Sequence, residues 1–180
     1  MEIQYIDSAS KQFEYYKKLG EKTFAQLSEE QLRWKPNEES NSIAIIVQHL
    51  HGNMLSRWTD FLTSDGEKPW RARDNEFENM SVNASEVLIL WDEGWSCLFE
   101  ALSKLDDTDL KRTILIRSQE LSVMDAIHRQ LAHYAYHVGQ MVFIGKLLLD
   151  NQWQTLSIAK GGSEAFNASL SHKTNQDSNR

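Results

Sequence analysis

The chain has 180 residues, of which 41% are hydrophobic and 25% are charged, a balance typical of a globular protein. Its formal net charge of −7 argues against a nucleic-acid-binding function. Cys97 is the single cysteine, so an internal disulfide and a cysteine-based zinc cluster are both excluded. Because no segment approaches ~20 consecutive apolar residues, we expect no membrane span and no signal peptide, and hence a cytoplasmic protein.

Eight glycines and two prolines are few for this length, which favours long helices. Apolar residues recur at helical spacing over about Ile6–Leu27, where Gly20 is expected to bend the first helix. A capped turn at Glu29–Leu32, a second helix from Asn41 or Ser42 to Thr63 and an ordered loop over 64–84 are expected next. A third helix follows at about Ser85–Leu105, and then a strand at Thr113–Arg117 that turns back through residues 118–120 onto Leu121. A fourth helix is capped by Ser122 and ends at Leu149, and a short helix is expected at about Glu164–Leu170. We therefore predict an all-α protein: a four-helix bundle with a small β-hairpin insert before the fourth helix and a short C-terminal helix. Residues 1–170 are expected to form one domain, and residues 171–180 a polar, disordered tail.

His133 and His137 are separated by four residues in the fourth helix, so both project from one face. Two imidazoles stacked in this way can hold one metal ion between them. The alternative is a chance spacing of two helical histidines, one of them exposed. Gln130 and Gln140 fall near the same face, and Gly139 is expected to let a neighbouring helix approach closely.

His49 borders the apolar stripe of the second helix and is the candidate for a third ligand. Alone it would be interpreted as a histidine at the edge of the core, bonded to a backbone carbonyl. The remaining histidines are expected at the surface or with hydrogen-bond partners: His51, His128 and His172. Three neutral imidazoles suit zinc, nickel, iron(II) or copper, and three protein ligands leave a coordination position open for water or substrate.

The histidine pair reads His-Tyr-Ala-Tyr-His and lacks the glutamate that serves as general base in HExxH peptidases. Hydrolysis would therefore need a base from elsewhere, for which Asp92 on the third helix is a candidate. Thiol chemistry needs less from the protein, because a metal can itself hold a thiol as thiolate. This difference favours thiol transfer over hydrolysis.

Three segments carry a resemblance to a known family: HLHGNMLSRW around His49, HYAYHVGQ from His133 to Gln140, and the order of four helices with a short insert before the fourth. On these grounds the chain resembles the DinB/YfiT-like superfamily of metal-dependent enzymes. The segments DGEKPWRARDNEF and LSIAKGGSEAFN resemble one uncharacterised branch of it. The resemblance implies that His49, His133 and His137 are the metal ligands, that the bundle forms a homodimer, and that thiol-dependent S-transferases using mycothiol- or bacillithiol-type cofactors are among its relatives.

Several other residues are candidates for a functional role. Lys68, Arg71 and Arg73 lie in the long loop and could receive an anionic substrate, but a solvated loop whose charges are balanced by carboxylates is favoured. Cys97 is interpreted as a small buried hydrophobe. Tyr134 and Tyr136 flank the candidate ligands and are expected to serve in packing.

The sequence therefore predicts a metalloenzyme acting on a small-molecule substrate, with a tris-histidine divalent metal, zinc or nickel, and a low-molecular-weight thiol as cofactor. Two alternatives stay open. One is a metal-dependent hydrolase of a small molecule, and the other is a non-enzymatic bundle in which the metal stabilises the fold or a dimer interface.

Overall fold

The computed structural model describes residues 4–78 and 83–169. Its main elements are α1 (Tyr5–Phe24), α2 (Glu29–Arg33), α3 (Ile43–Trp58), α4 (Ala84–Ser103), β1 (Thr113–Ile116), β2 (Gln119–Ser122) and α5 (Val123–Leu149). Short 3-10 helices lie at Arg73–Phe77, Asp109–Lys111 and Asp150–Gln152, and residues 163–169 are helical. The fold is an all-α bundle of four long helices, α1, α3, α4 and α5, with a β-hairpin before the last, as predicted. The predicted tail and His172 lie outside the described residues.

Polar side chains fix where most of the helices begin. Ser42 accepts a hydrogen bond from the backbone N–H of Ile45 and starts α3, and Ser122 accepts one from the N–H of Asp125 and starts α5. Ser28 and Asn83 each form a capping box at the starts of α2 and α4. The Ser122 cap sets the first residue of α5, and thereby the position of His133 and His137 along that helix.

The helices meet around a cluster of aromatic rings, one from each long helix. Phe13 of α1 lies 6.2 Å from Trp58 of α3, 6.3 Å from Trp95 of α4 and 5.9 Å from Tyr134 of α5, measured between ring centroids. All four side chains are buried. Rings of this size contribute much of the buried apolar area that stabilises the bundle. Among the described residues, no helix has the length and apolar character needed to cross a bilayer.

Several predicted details were wrong. The second long helix ends at Trp58 instead of Thr63, because Thr59 is extended and Asp60 adopts a left-handed backbone with φ of 49°. α1 continues through Gly20 as one helix, and a Cβ at this position would clash with Trp91, so this glycine makes room for the indole. Gly139 allows no close approach by another described segment, since a Cβ there would meet no atom of the described residues within 4 Å.

The hairpin also turns one residue earlier than predicted. β1 and β2 pair antiparallel with Ile116 opposite Gln119, so the two-residue turn is Arg117–Ser118, with φ values of 56° and 60°. The carboxylate of Asp65 accepts hydrogen bonds from both of these backbone N–H groups, at 2.8 Å and 2.7 Å. The hairpin is thereby attached to the loop that follows α3.

Candidate metal centre

The structure brings the three predicted histidines together. His49 comes from α3, and His133 and His137 come from successive turns of α5; one nitrogen from each ring lies within 4.8 Å of the others. The Nε2 atoms of His49 and His133 are 3.2 Å apart. Two nitrogens bound to one tetrahedral zinc at ~2.0–2.1 Å would be about 3.3 Å apart. The spacing of these two nitrogens therefore fits a shared metal ion, and the cluster can bind one.

The ring of His137 also presents a nitrogen that is available to bind a metal. Its Nδ1 donates to Oε1 of Gln140 at 2.9 Å, which leaves the lone pair on Nε2. That Nε2 is buried and has no hydrogen-bond partner among the described residues. Since an unpaired buried acceptor costs free energy, a metal bound at this atom would remove the penalty.

A carboxylate behind His49 orients the third ring. Oε2 of Glu76 accepts from Nδ1 of His49 at 2.9 Å, so Nε2 of the same ring carries the lone pair. Arg71 donates two hydrogen bonds to this carboxylate, at 2.7 Å and 2.8 Å. Burial opposes ionisation of Glu76, but the hydrogen bonds from Arg71 and His49 outweigh it and lower the pKa of the carboxyl. The result is an ordered Arg–Glu–His chain of the kind that supports metal ligands.

Two rings of the cluster are held neutral, the form that binds metals. Burial, followed by repulsion from the neighbouring histidines, lowers the pKa of His133 from 6.5 to about 3. Burial and His49 lower that of His137 to about 4. Both rings are therefore deprotonated at neutral pH and need lose no proton before a metal binds.

The three imidazoles border a cavity of about 460 Å³ that opens to the surface. Gln130, Tyr136 and Gln140 of α5 line it, together with Phe77 from the loop. Among the described residues that line it there is no carboxylate. The cluster is therefore reachable by a small molecule, which distinguishes it from a sealed structural site.

Comparison with known proteins identifies the family. Residues 1–162 match a family described as a protein of unknown function, DUF1572. The chain belongs to the DUF1572 family. A solved structure of a DinB-like protein from Bacillus cereus ATCC 10987 shares the fold, with a TM-score of 0.60 and 14% identity, over 89% of this chain and 100% of that one. The DUF1572 chain is thus DinB-like in fold, as its motifs predicted, and none of the curated proteins compared with it matches.

In this DUF1572 protein the long loop after α3 is not the solvated segment that was expected. The side chain of Arg71 is 2% exposed and bound to Glu76, and Lys68 is buried with its Nζ donating to the backbone carbonyl of Asp65 at 2.6 Å. Only Arg73, with 47% of its side chain exposed, fits the expectation. The prediction was wrong because it rested on the balance of charges along the loop. That balance does not show which of the charged side chains pack against α3.

The structure also places four other residues of the DUF1572 chain that were candidates for a functional role. Asp92 does not line the cavity and pairs with Lys17 at 2.8 Å, so it is not the base suggested for hydrolysis. Cys97 is half-buried, and burial raises the pKa of its thiol, which fits the predicted inert role. Tyr134 is fully buried in the core, whereas Tyr136 is 53% exposed, packs against the rings of His133 and His137 and lines the cavity.

Two of the remaining histidines are placed as predicted. Nε2 of His51 lies 3.1 Å from Oε2 of Glu93, and His128 is exposed with its ring against Tyr5. The residue that sequence analysis missed is Glu76. Its signal was present, since the loop is rich in carboxylates, but nothing in the sequence distinguished Glu76 from its neighbours.

Proposed function

We propose that this protein is a metal-dependent enzyme in which His49, His133 and His137 hold one divalent transition-metal ion, zinc or nickel. We further propose that it transfers a low-molecular-weight thiol, of the bacillithiol or mycothiol type, to a small-molecule electrophile. One observation carries the proposal: three imidazoles converge, with an orphaned Nε2 on His137, at the edge of an open cavity. Neutral nitrogen ligands favour zinc or nickel over magnesium or calcium.

The chemistry that such a metal supplies when bound is deprotonation of a coordinated thiol at neutral pH. In the overall reaction the thiol sulfur forms a bond to an electrophilic carbon, the leaving group departs with its electron pair, and the thiol proton is released to solvent. No described side chain that lines the cavity need accept that proton. Tyr136 can donate its phenolic proton to a bound oxyanion, because its ring lies 4.1 Å from that of His137 and borders the cavity.

Transfer is favoured over hydrolysis because a free general base is missing from the described cavity lining. Water attack ordinarily uses a carboxylate or histidine within hydrogen-bond reach of the water. Glu76 contacts the cluster through His49, but both of its oxygens already accept hydrogen bonds from Arg71 and His49. A thiol needs no such group.

The first test is metal content. Purified protein should contain about one zinc or nickel per chain, and His133→Ala and His137→Ala should each lose it. His51→Ala removes a histidine of α3 that lies outside the cavity, so it should retain the metal. Full metal retention by both cluster variants would defeat the assignment.

The second test is a screen for thiol conjugation, run with and without chelator. Conjugation that requires metal and is lost in His133→Ala supports the transferase. Metal-dependent hydrolysis without thiol consumption would instead favour a hydrolase. Stoichiometric metal with neither activity would favour a non-enzymatic metal-binding bundle.

A further inference from the structure

The cavity beside the histidines is unusually rich in arginine. The whole chain has eight arginines and a net charge of −7, yet five of the eight line this one cavity. These are Arg57, Arg71, Arg73, Arg117 and Arg129. No carboxylate is among its described lining residues, so the surface that a ligand meets is cationic within an acidic protein.

Two of the five are committed to the structure. Arg57 donates to the backbone carbonyl of Gly66 and to Glu67, at 3.0 Å for the latter, and Arg71 is held by Glu76. Both side chains are at least 95% buried. They support the loop and are held in place by these bonds, although Nε of Arg57 and Nη1 of Arg71 have no hydrogen-bond partner among the described residues.

The other three arginines lie at the exposed part of the lining. Arg117 pairs through its Nε with the same Glu67 carboxylate as Arg57, at 3.0 Å, but 53% of the Arg117 side chain is exposed. Arg73 lies 3.7 Å from Asp74, whose side chain is almost wholly in solvent, and such exposed pairs contribute little. These two guanidinium groups therefore retain donors for a ligand.

Arg129 is the arginine most available to a ligand. It is exposed, and within the described part of the chain it forms no hydrogen bond or ion pair. It lies four residues before His133 and eight before His137, so the three share one face of α5. At ~1.5 Å per residue, its backbone is ~6 Å along the helix from that of His133 and ~12 Å from that of His137.

A buried amide next to Arg129 also lacks a partner. Gln130 is 3% exposed and lines the cavity, and its Oε1 accepts no hydrogen bond from any described residue. Because an unpaired buried acceptor is costly, this atom fits a ligand that brings an O–H or N–H group. This observation is independent of the arginines, and it concerns a residue that lines the same cavity.

We propose that the cavity binds a small molecule with two ends: one that reaches the three imidazoles, and an oxyanion, carboxylate or phosphate, that Arg129 binds with Arg117 and Arg73 beside it. The guanidinium fork matches both oxyanions. This inference rests on the proposed function for the identity of the first end. Beyond the proposed function, the inference assigns a negative charge to the substrate or thiol cofactor. It places that charge beside Arg129, one to two helical turns along α5 from the metal ligands His133 and His137.

The experiment uses matched thiols of one chain length. 6-Mercaptohexanoate, 6-mercaptohexylphosphonate and the neutral 6-mercaptohexanol are titrated into zinc-loaded and into metal-free protein by isothermal titration calorimetry. Either anion should bind ~10-fold or more tightly than the alcohol, since charge-assisted hydrogen bonds to arginine are gained. Their relative affinities show whether a carboxylate or a phosphate is preferred, and the preference should shrink as salt is raised.

Variants connect the preference to one residue. Arg129→Gln should remove most of the preference for the anions while it leaves the affinity for 6-mercaptohexanol unchanged, and Arg129→Lys should restore part of it. Lys146→Gln is the matched control, because it removes one positive charge from an exposed position of the same helix outside the cavity. It should change neither affinity.

The outcomes separate this inference from the proposed function. Zinc binding with equal affinity for acids and alcohol, or an anion preference that survives in Arg129→Gln, overturns the inference and leaves the metal site standing. Failure to bind zinc defeats the metal site. In that case the anion preference of the metal-free protein and its loss in Arg129→Gln still decide the inference.

Discussion

Nδ1 of His49 lies 2.9 Å from Oε2 of Glu76, which joins the metal-ligand candidate of α3 to the loop that precedes α4. The same carboxylate is held from its other side by Arg71. A histidine that donates one ring N–H to a carboxylate is fixed in tautomer and orientation, and its other nitrogen becomes a stronger ligand. The loop therefore shapes the site, although none of its described residues belongs to the histidine cluster.

Glu76→Gln should weaken zinc binding by about 10- to 100-fold, because the amide accepts more weakly from His49 and loses its ion pair with Arg71. Competition with a chromophoric chelator measures the affinity, and circular dichroism checks that the variant is folded. Glu78→Gln, two residues further along the loop and exposed, is the control and should bind zinc as the wild type does. An unchanged affinity in Glu76→Gln would mean that His49 is oriented without the carboxylate.

Gly52→Ala should weaken the same site from the opposite side. A Cβ at Gly52 would clash with Oε1 of Glu76, so the carboxylate must move away from its present partners. We expect a stability loss of about 1–3 kcal/mol, as for other overpacked positions, together with weaker zinc binding. Urea denaturation and the chelator competition measure the two effects.

Gly139→Ala is the matched helical control, because a Cβ there would meet nothing within 4 Å in the part of the chain that the structure describes. It should raise stability by about 0.5–1 kcal/mol through the higher helix propensity of alanine. If both glycine variants behaved alike, the close approach of Gly52 to Glu76 would have no energetic consequence.

The contrast between these two glycines shows what the sequence could and could not predict. Periodicity placed the helices, and a spacing of four placed His133 and His137 on one face, because both follow from the local geometry of a helix. Whether a glycine is contacted depends on which segment crosses it. That is a property of the tertiary structure, and it led to the wrong expectation at Gly139.

The same limit explains why the support of His49 was missed. Arg71 and Arg73 are two residues apart in one loop, yet 2% of the first side chain is exposed and 47% of the second. Local composition is the same for both. Only the packing of the loop against α3 selects Arg71 and Glu76 for the site, so the meeting of the three histidines could be predicted while the residues that support them could not.

Asp65→Asn should detach the hairpin turn from the loop. The Asp65 carboxylate accepts from the backbone N–H groups of Glu67, Arg117 and Ser118 at 2.7, 2.8 and 2.7 Å. We expect a loss of about 1–3 kcal/mol at pH 7, since an amide offers one acceptor oxygen where the carboxylate offers two. Asp74→Asn, whose side chain is exposed in the same loop, should have no effect on stability.

The Asp65 effect should depend on pH in one direction. The N–H of Glu67 first, then those of Ser118 and Arg117, hold the pKa of Asp65 below its ordinary value of 3.8. The stabilisation is therefore complete well above pH 3.8 and is lost as pH falls through the folded-state pKa. Urea midpoints of wild type and Asp65→Asn should differ most near neutral pH and converge below pH 3.8. A constant difference across that range would contradict the assigned role of the charge.

Tyr134→Phe should test the hydrogen-bond chain that joins Trp58, Tyr134 and Asn53 inside the bundle. The Tyr134 hydroxyl accepts from Nε1 of Trp58 and donates to Oδ1 of Asn53, each at 3.0 Å, and the tyrosine has no exposed surface. Removing the oxygen leaves a buried indole N–H and a buried amide oxygen without this partner, at a cost of about 1–3 kcal/mol. Tyr136→Phe removes an equivalent hydroxyl from a side chain that is 53% exposed, and it should change stability by less than ~0.5 kcal/mol. Thermal and urea unfolding of the two variants compare them directly, and equal stability would show that the buried chain contributes nothing beyond packing.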